Sequence, residues 1–130
     1  MSEVAQPRGP RAHIVRQAHA RAVELGIIDI IVALQAQLGQ ALLAVIVTKS
    51  PRTIKRWANK TVRVPQAIEQ LLRDTFQVVE LLSSAGSPEV ARGWLMGMNP
   101  QLDDASPAEV LSTGRARDVI AAARVFISAS

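Results

Sequence analysis

The chain has 130 residues, an apolar fraction of 48% and a net charge of +4. That is one domain's worth of chain with enough apolar content for a real core, which excludes a disordered polypeptide. With no cysteine or tyrosine and two histidines, it has no disulfides, thiolate zinc sites, cysteine nucleophiles or phenolic acid/base groups.

Charge is unevenly distributed. Residues 1–65 carry ten Lys/Arg and three Asp/Glu, and residues 66–130 carry five and eight. A basic front and an acidic back suggest two surfaces with different partners. The aromatic residues are Trp57, Trp94, Phe76 and Phe126, so the core must be aliphatic and alanine-rich.

The first segment, 1–12, is polar and basic, holds Pro7, Gly9 and Pro10, and reads as a flexible arm. It has no apolar run after its charges, so it is not a secretory signal. With the absence of cysteine, this predicts a cytoplasmic protein. A helix is expected over 13–25, with Ile14, Val15, Ala18, Ala22 and Leu25 near one face and Gly26 as its stop. The next, 28–38, is apolar on most sides, as in a central or dimer-buried helix. The window 27–47 has about a membrane-spanning length. Asp29, Gln35, Gln37 and Gln40 interrupt it and Gly39 marks a corner, so two buried helices are expected instead.

Further helices are predicted over 40–47, 51–58, 66–83, 88–96, 107–113 and 115–127. Three of them begin with Ser-Pro: Ser50-Pro51, Ser87-Pro88 and Ser106-Pro107. Serine can accept from an orphan amide of the first turn, and proline lacks the amide that would go unpaired. Ser106 and Glu109 have capping-box spacing. Gly114 reads as a stop. Val45, Ile46 and Val47 suit a strand, but one strand has no partner here. The predicted fold class is all-α, with a helical region over 13–65 and a second over 66–130.

Residues 40–57 have helix-turn-helix spacing. Ala44 is small where two helices cross, and Ile54 and Trp57, three apart, turn inward to pin the second helix. That leaves Arg52, Thr53, Lys55 and Arg56 outward, where such a helix enters a major groove. Ser50 and the amides beside it face phosphate, next to Lys49, and Lys60 and Arg63 follow within reach of the same backbone. All eight are candidate DNA-binding residues. The turn position usually held by glycine is Thr48, where a β-branched residue is strained at positive φ. The expectation is an irregular turn, with DNA binding weakened or lost. The bland alternative is a solvated basic face.

The C-terminal half carries a more specific pattern. It runs Ala91-Arg92-Gly93-Trp94-Leu95, then Asn99-Pro100-Gln101-Leu102-Asp103-Asp104-Ala105-Ser106-Pro107-Ala108-Glu109-Val110-Leu111-Ser112-Thr113-Gly114, then Val119 and Phe126-Ile127 on a terminal helix. This resembles the toxin-binding domain of the Xre/ParS/MbcA antitoxin family, which has a Trp-Leu pair, an Asn-Pro-type corner, a Leu before a Ser-Pro helix start, and a Leu and Thr before a final helix. The upstream helix-turn-helix fits that family's order. The resemblance covers residues 40–127 and departs from the pattern at Asp103-Asp104, where a glycine is common.

The resemblance implies an antitoxin of a type II toxin-antitoxin system, itself without catalytic activity or cofactor. It would bind and neutralise a RES-domain toxin that degrades NAD by blocking entry to the toxin's NAD pocket. Operator DNA is a second implied partner, with homo-oligomers and hetero-oligomers with toxin expected. On the last helix, Val119, Ala122, Ala123 and Phe126 suit the core, and Arg115, Asp118 and Arg124 suit solvent. The end Ile127-Ser128-Ala129-Ser130 is short enough to enter a cleft, and Arg115, Arg117 or Arg124 can pair with acidic toxin residues. These seven, with Arg115, Arg117 and Arg124 as cations and residues 127–130 as the tail, are the candidate toxin contacts. A stand-alone helix-turn-helix regulator without a toxin is the alternative, and a plain assembly scaffold a third.

Trp57 and Trp94 read as core anchors. His13 and His19 are six apart and share no helix face well, which argues against a metal site. Asp103-Asp104 alone lacks the ligand count for calcium. Neither a Gly-rich phosphate loop nor a nucleophile motif is present.

Overall fold

A computed structural model describes residues 10–24 and 26–129. Among them every regular element is helical, as the sequence predicts. In chain order these are α1 (Pro10–Glu24), α2 (Ile27–Leu38), α3 (Gln40–Val47), α4 (Pro51–Ala58), α5 (Gln66–Ser83), α6 (Pro88–Met96), a 3-10 turn (Pro100–Leu102), α7 (Pro107–Ser112) and α8 (Ala116–Ala129). None is long and apolar enough to cross a membrane.

The longest helix, α5, is the hub. It packs against α1, α2 and α8, and also touches α3, α6 and α7. Leu72, Phe76, Val78, Val79, Leu81 and Leu82 give it a buried surface wider than one stripe, because neighbours press on it from several sides. Buried residues of both halves form one contiguous core. Residue 65 therefore ends the helix-turn-helix segment without breaking the packing. The apolar helix α2 sends Ile30, Ile31, Leu34 and Leu38 into this core, while Val32 stays exposed.

Two long-range side-chain bonds add to the apolar packing. Arg73 Nη1 donates to the Ala22 carbonyl at 2.9 Å, tying α5 to α1. Arg92 Nη1 donates to the Gln37 carbonyl at 2.7 Å, tying α6 to the last turn of α2. Such carbonyls near helix ends lack intrahelical donors, so a guanidinium satisfies them well.

The structure revises the punctuation in three places. Helix α1 starts at Pro10, inside the segment expected to be an arm, and residues 1–9 of that expectation lie outside the described residues. Ser50 and Ser106 accept from the amides of Thr53 and Glu109, each at 3.2 Å, whereas Ser87 caps no amide. The Glu89 carboxyl is held below its ordinary range by its own amide, the nearby Ser87 hydroxyl and Arg92. The terminal helix starts at Ala116 and runs to Ala129, past the predicted end at 127.

Candidate nucleic-acid interface and partner-binding face

Helix α4 lies against α2 and α3. Ile54 and Trp57 are buried, and Arg52, Lys55 and Arg56 are exposed. Among the described residues these three cations form no ion pair. With eight residues the helix has little stability of its own, so the two buried side chains fix its orientation.

The turn before α4 is where the sequence reading fails. Thr48 takes φ 53° and ψ 42°, the left-handed conformation that a glycine would adopt at no cost. The amide of Lys49 donates to the Ala44 carbonyl at 3.2 Å, and the Thr48 hydroxyl donates to the Val47 carbonyl at 2.7 Å. The turn is thus well formed despite its β-branched residue. A left-handed non-glycine costs on the order of 1–2 kcal/mol, and the packing of α3 against α4 imposes it.

Lys49 and Ser50 are exposed at the N-terminal end of α4. Thr53 is half-buried, and its hydroxyl shares a hydrogen bond of 3.0 Å with that of Ser50. Beyond α4, the Asn59 side-chain oxygen accepts from the Thr61 amide at 3.1 Å and from the Thr61 hydroxyl. Lys60 sits in this turn with φ 64°, and Lys60 and Arg63 are both exposed. The eight predicted DNA-binding residues therefore fall on α4 and the segments just before and after it.

The other candidate face is built around α8. Val119, Ala122, Ala123 and Ile127 are its buried stripe, and Phe126 is half-buried against Trp94 of α6, ring centroids 6.1 Å apart. Trp94 is thus a half-exposed partner of Phe126, in contrast to the fully buried Trp57. Arg115 Nε donates to Asp118 Oδ2 at 2.9 Å across the start of α8. Arg117 and Arg124 are exposed and form no ion pair among the described residues.

The expected insertable tail is corrected here. Ile127 is 5% exposed and belongs to the core, because helical periodicity carries it onto the buried stripe. Ser128 and Ala129 are exposed in the last turn of α8 rather than in a free tail. Ser130 lies outside the described residues.

The corner that holds α8 is closely bonded. Asn99 Oδ1 accepts from the Gln101 amide, and the Asn99 carbonyl accepts from Asp104, both at 2.9 Å. The Asn99 amide donates to Ala105 at 3.1 Å. Ser106 donates to Glu109 Oε1 at 2.9 Å while accepting that residue's amide, so the serine–glutamate spacing is used with a side-chain pair. Thr113 Oγ1 donates to the Val110 carbonyl, and Gly114 turns the chain at φ 85°. Asp103 and Asp104 take φ 55° and 66°, in place of the glycine common in the resembled pattern.

Compared with known proteins, the chain matches no family model, no curated protein and no solved structure.

Residue-type reasoning missed the exposed methionines of this end. Met96 is 59% and Met98 78% exposed, in and just after the last turn of α6. Helix periodicity offers no clue to Met98, which lies in the non-helical link to the 3-10 turn. Asp74 on α5, half-buried and hydrogen-bonded by Gln70, has its carboxyl pushed above the ordinary range by desolvation. It lies in neither candidate site.

Proposed function

We propose that this chain is an antitoxin that neutralises a RES-domain, NAD-degrading toxin and binds operator DNA through α4. The observation that carries the toxin-binding half is structural economy in the corner from Trp94 to Gly114. The residues that create the resemblance hold α8 in place: Leu95, Leu102 and Leu111 are buried, Asn99 and Ser106 cap, and Gly114 turns. This frees Arg117 and Arg124 to face a partner. In this reading the chain is cytoplasmic, oligomeric, performs no chemistry and acts by covering the toxin's NAD pocket. The blocking element is the outer face and last turn of α8, since Ile127 is committed to the core.

The DNA-binding half rests on α4. Two buried side chains aim three free cations outward behind a serine-capped start. The same observation favours the second reading, a stand-alone regulator with no toxin partner.

Co-expression with the product of a neighbouring RES-type reading frame separates the two. The antitoxin reading expects wild type to restore growth and cellular NAD, and Arg117→Glu with Arg124→Glu to lose that protection. A wild-type chain that binds promoter DNA yet neither binds nor silences such a toxin leaves only the regulator.

A further inference from the structure

Helix α4 ends in a left-handed cap. The Lys60 amide donates to the Trp57 carbonyl at 3.1 Å, and the Thr61 amide donates to the Arg56 carbonyl at 2.9 Å. This pair of bonds needs a left-handed residue just after the cap residue, and glycine is its usual occupant. Here Asn59 is the cap and Lys60 takes the glycine position, at φ 64°.

Three other non-glycine residues have positive φ among the described residues, and each has a local compensation. The Thr48 hydroxyl is bonded to the Val47 carbonyl. Asp103 and Asp104 have the short polar side chain that tolerates this conformation. Lys60 has neither. Its side chain is exposed and makes no hydrogen bond or ion pair among the described residues. Strain that nothing in the fold offsets points to a use for the side chain.

Lys60 also borders a concavity of about 410 Å³. The other walls are Ile27 and Ile28 at the start of α2, the 62–64 link and Glu69 of α5. Glu69 is already paired with Arg73 at 3.3 Å. Arg63, in the link, is exposed and forms no ion pair among the described residues. Two unpaired cations therefore border the concavity against one neutralised carboxylate. They follow directly on the exposed cations of α4.

We propose that Lys60 and Arg63 seat a backbone phosphate of duplex DNA at this concavity, outside the groove that α4 enters. Lys60 occupies a glycine position because the charge is needed there. This deepens the operator-binding reading and rests on it. A compact ammonium with rotatable donors suits a phosphate oxygen better than a planar base edge. The seat adds affinity and register but no sequence preference, since the phosphate is the same at every base pair.

The test compares Lys60→Gly, Lys60→Arg and Arg63→Ala in the full chain. Two duplexes are used over a salt series: the promoter upstream of the chain's own reading frame, and a scrambled sequence of equal length. Lys60→Gly should melt higher by about 2–4 °C, because glycine relieves the left-handed strain. It should nevertheless bind both duplexes more weakly and alike, with the slope of log affinity against log salt smaller by about 0.9. Lys60→Arg should keep wild-type binding, and Arg63→Ala should lose a similar slope with its melt unchanged. Lys60→Gly that binds like wild type overturns the seat, and leaves α4 as the reader if replacing Arg52, Lys55 and Arg56 still abolishes binding. If inorganic phosphate then raises the melt of wild type alone, the concavity belongs to a free anion. A lower melt for Lys60→Gly overturns the strain on which the inference stands. Weakening confined to the promoter duplex makes Lys60 a base reader and also overturns it. Wild type that binds neither duplex removes the operator-binding reading and this inference together.

Discussion

The α4 end and the α6–α8 end present their surfaces by different means. At α4 a short helix is pinned by two buried side chains, and Arg52, Lys55 and Arg56 face outward. At the other end a longer helix is held by a capped corner, with Phe126 half-buried against Trp94 and Arg117 and Arg124 exposed. A surface of the first kind suits a polyanion, whose affinity falls steeply with salt. A surface of the second kind suits one shaped protein partner, through contacts that salt weakens little.

The two tryptophans offer the largest test of this contrast. Trp57→Ala should cost about 3–5 kcal/mol, because it empties a fully buried site under α4. Trp94→Ala should cost about 2 kcal/mol, since that ring is only half-buried beside Phe126. Denaturant melts of the two variants give the comparison directly. Equal losses would mean that Trp94 is as much a core residue as Trp57.

Replacing Arg52, Lys55 and Arg56 with alanine addresses the surfaces themselves. Promoter binding should weaken, and the slope of log affinity against log salt should shrink by about 2.7 if all three contact phosphate. Binding to the RES-domain protein should be unchanged. DNA binding that survives the triple change would show that α4 is not the recognition element.

The smallest effects belong to the two turns. Thr48→Gly should stabilise the chain by about 0.5–1 kcal/mol, because glycine removes the left-handed strain of a β-branched residue. Asp103→Gly should gain less, since a short polar side chain already tolerates that conformation. Thermal melts rank the pair, and a larger gain at Asp103 would place the greater strain in the C-terminal corner.

Thr48 also shows where local reading stops. Its β-branched side chain argues for an irregular turn, yet α3 and α4 close on each other and impose the left-handed geometry. Propensity is worth about a kilocalorie there, and the burial of Ile54 and Trp57 outweighs it. Ile127 carries the same lesson. In sequence it belongs to a small, polar ending, but α8 continues past it and places it on the buried stripe.

The sequence by itself determined the all-helical class, nearly all the helix boundaries, the inward turn of Ile54 and Trp57 and the outward turn of Arg52, Lys55 and Arg56. These follow from helical periodicity, serine caps, prolines and glycines, all of which act over a few residues. Only the tertiary structure decided that Arg73 and Arg92 tie distant helices together, that Trp94 meets Phe126, and that Met96 and Met98 stay exposed. Those outcomes depend on which helices meet across the core, and contacts between residues far apart in the chain leave no mark in local spacing.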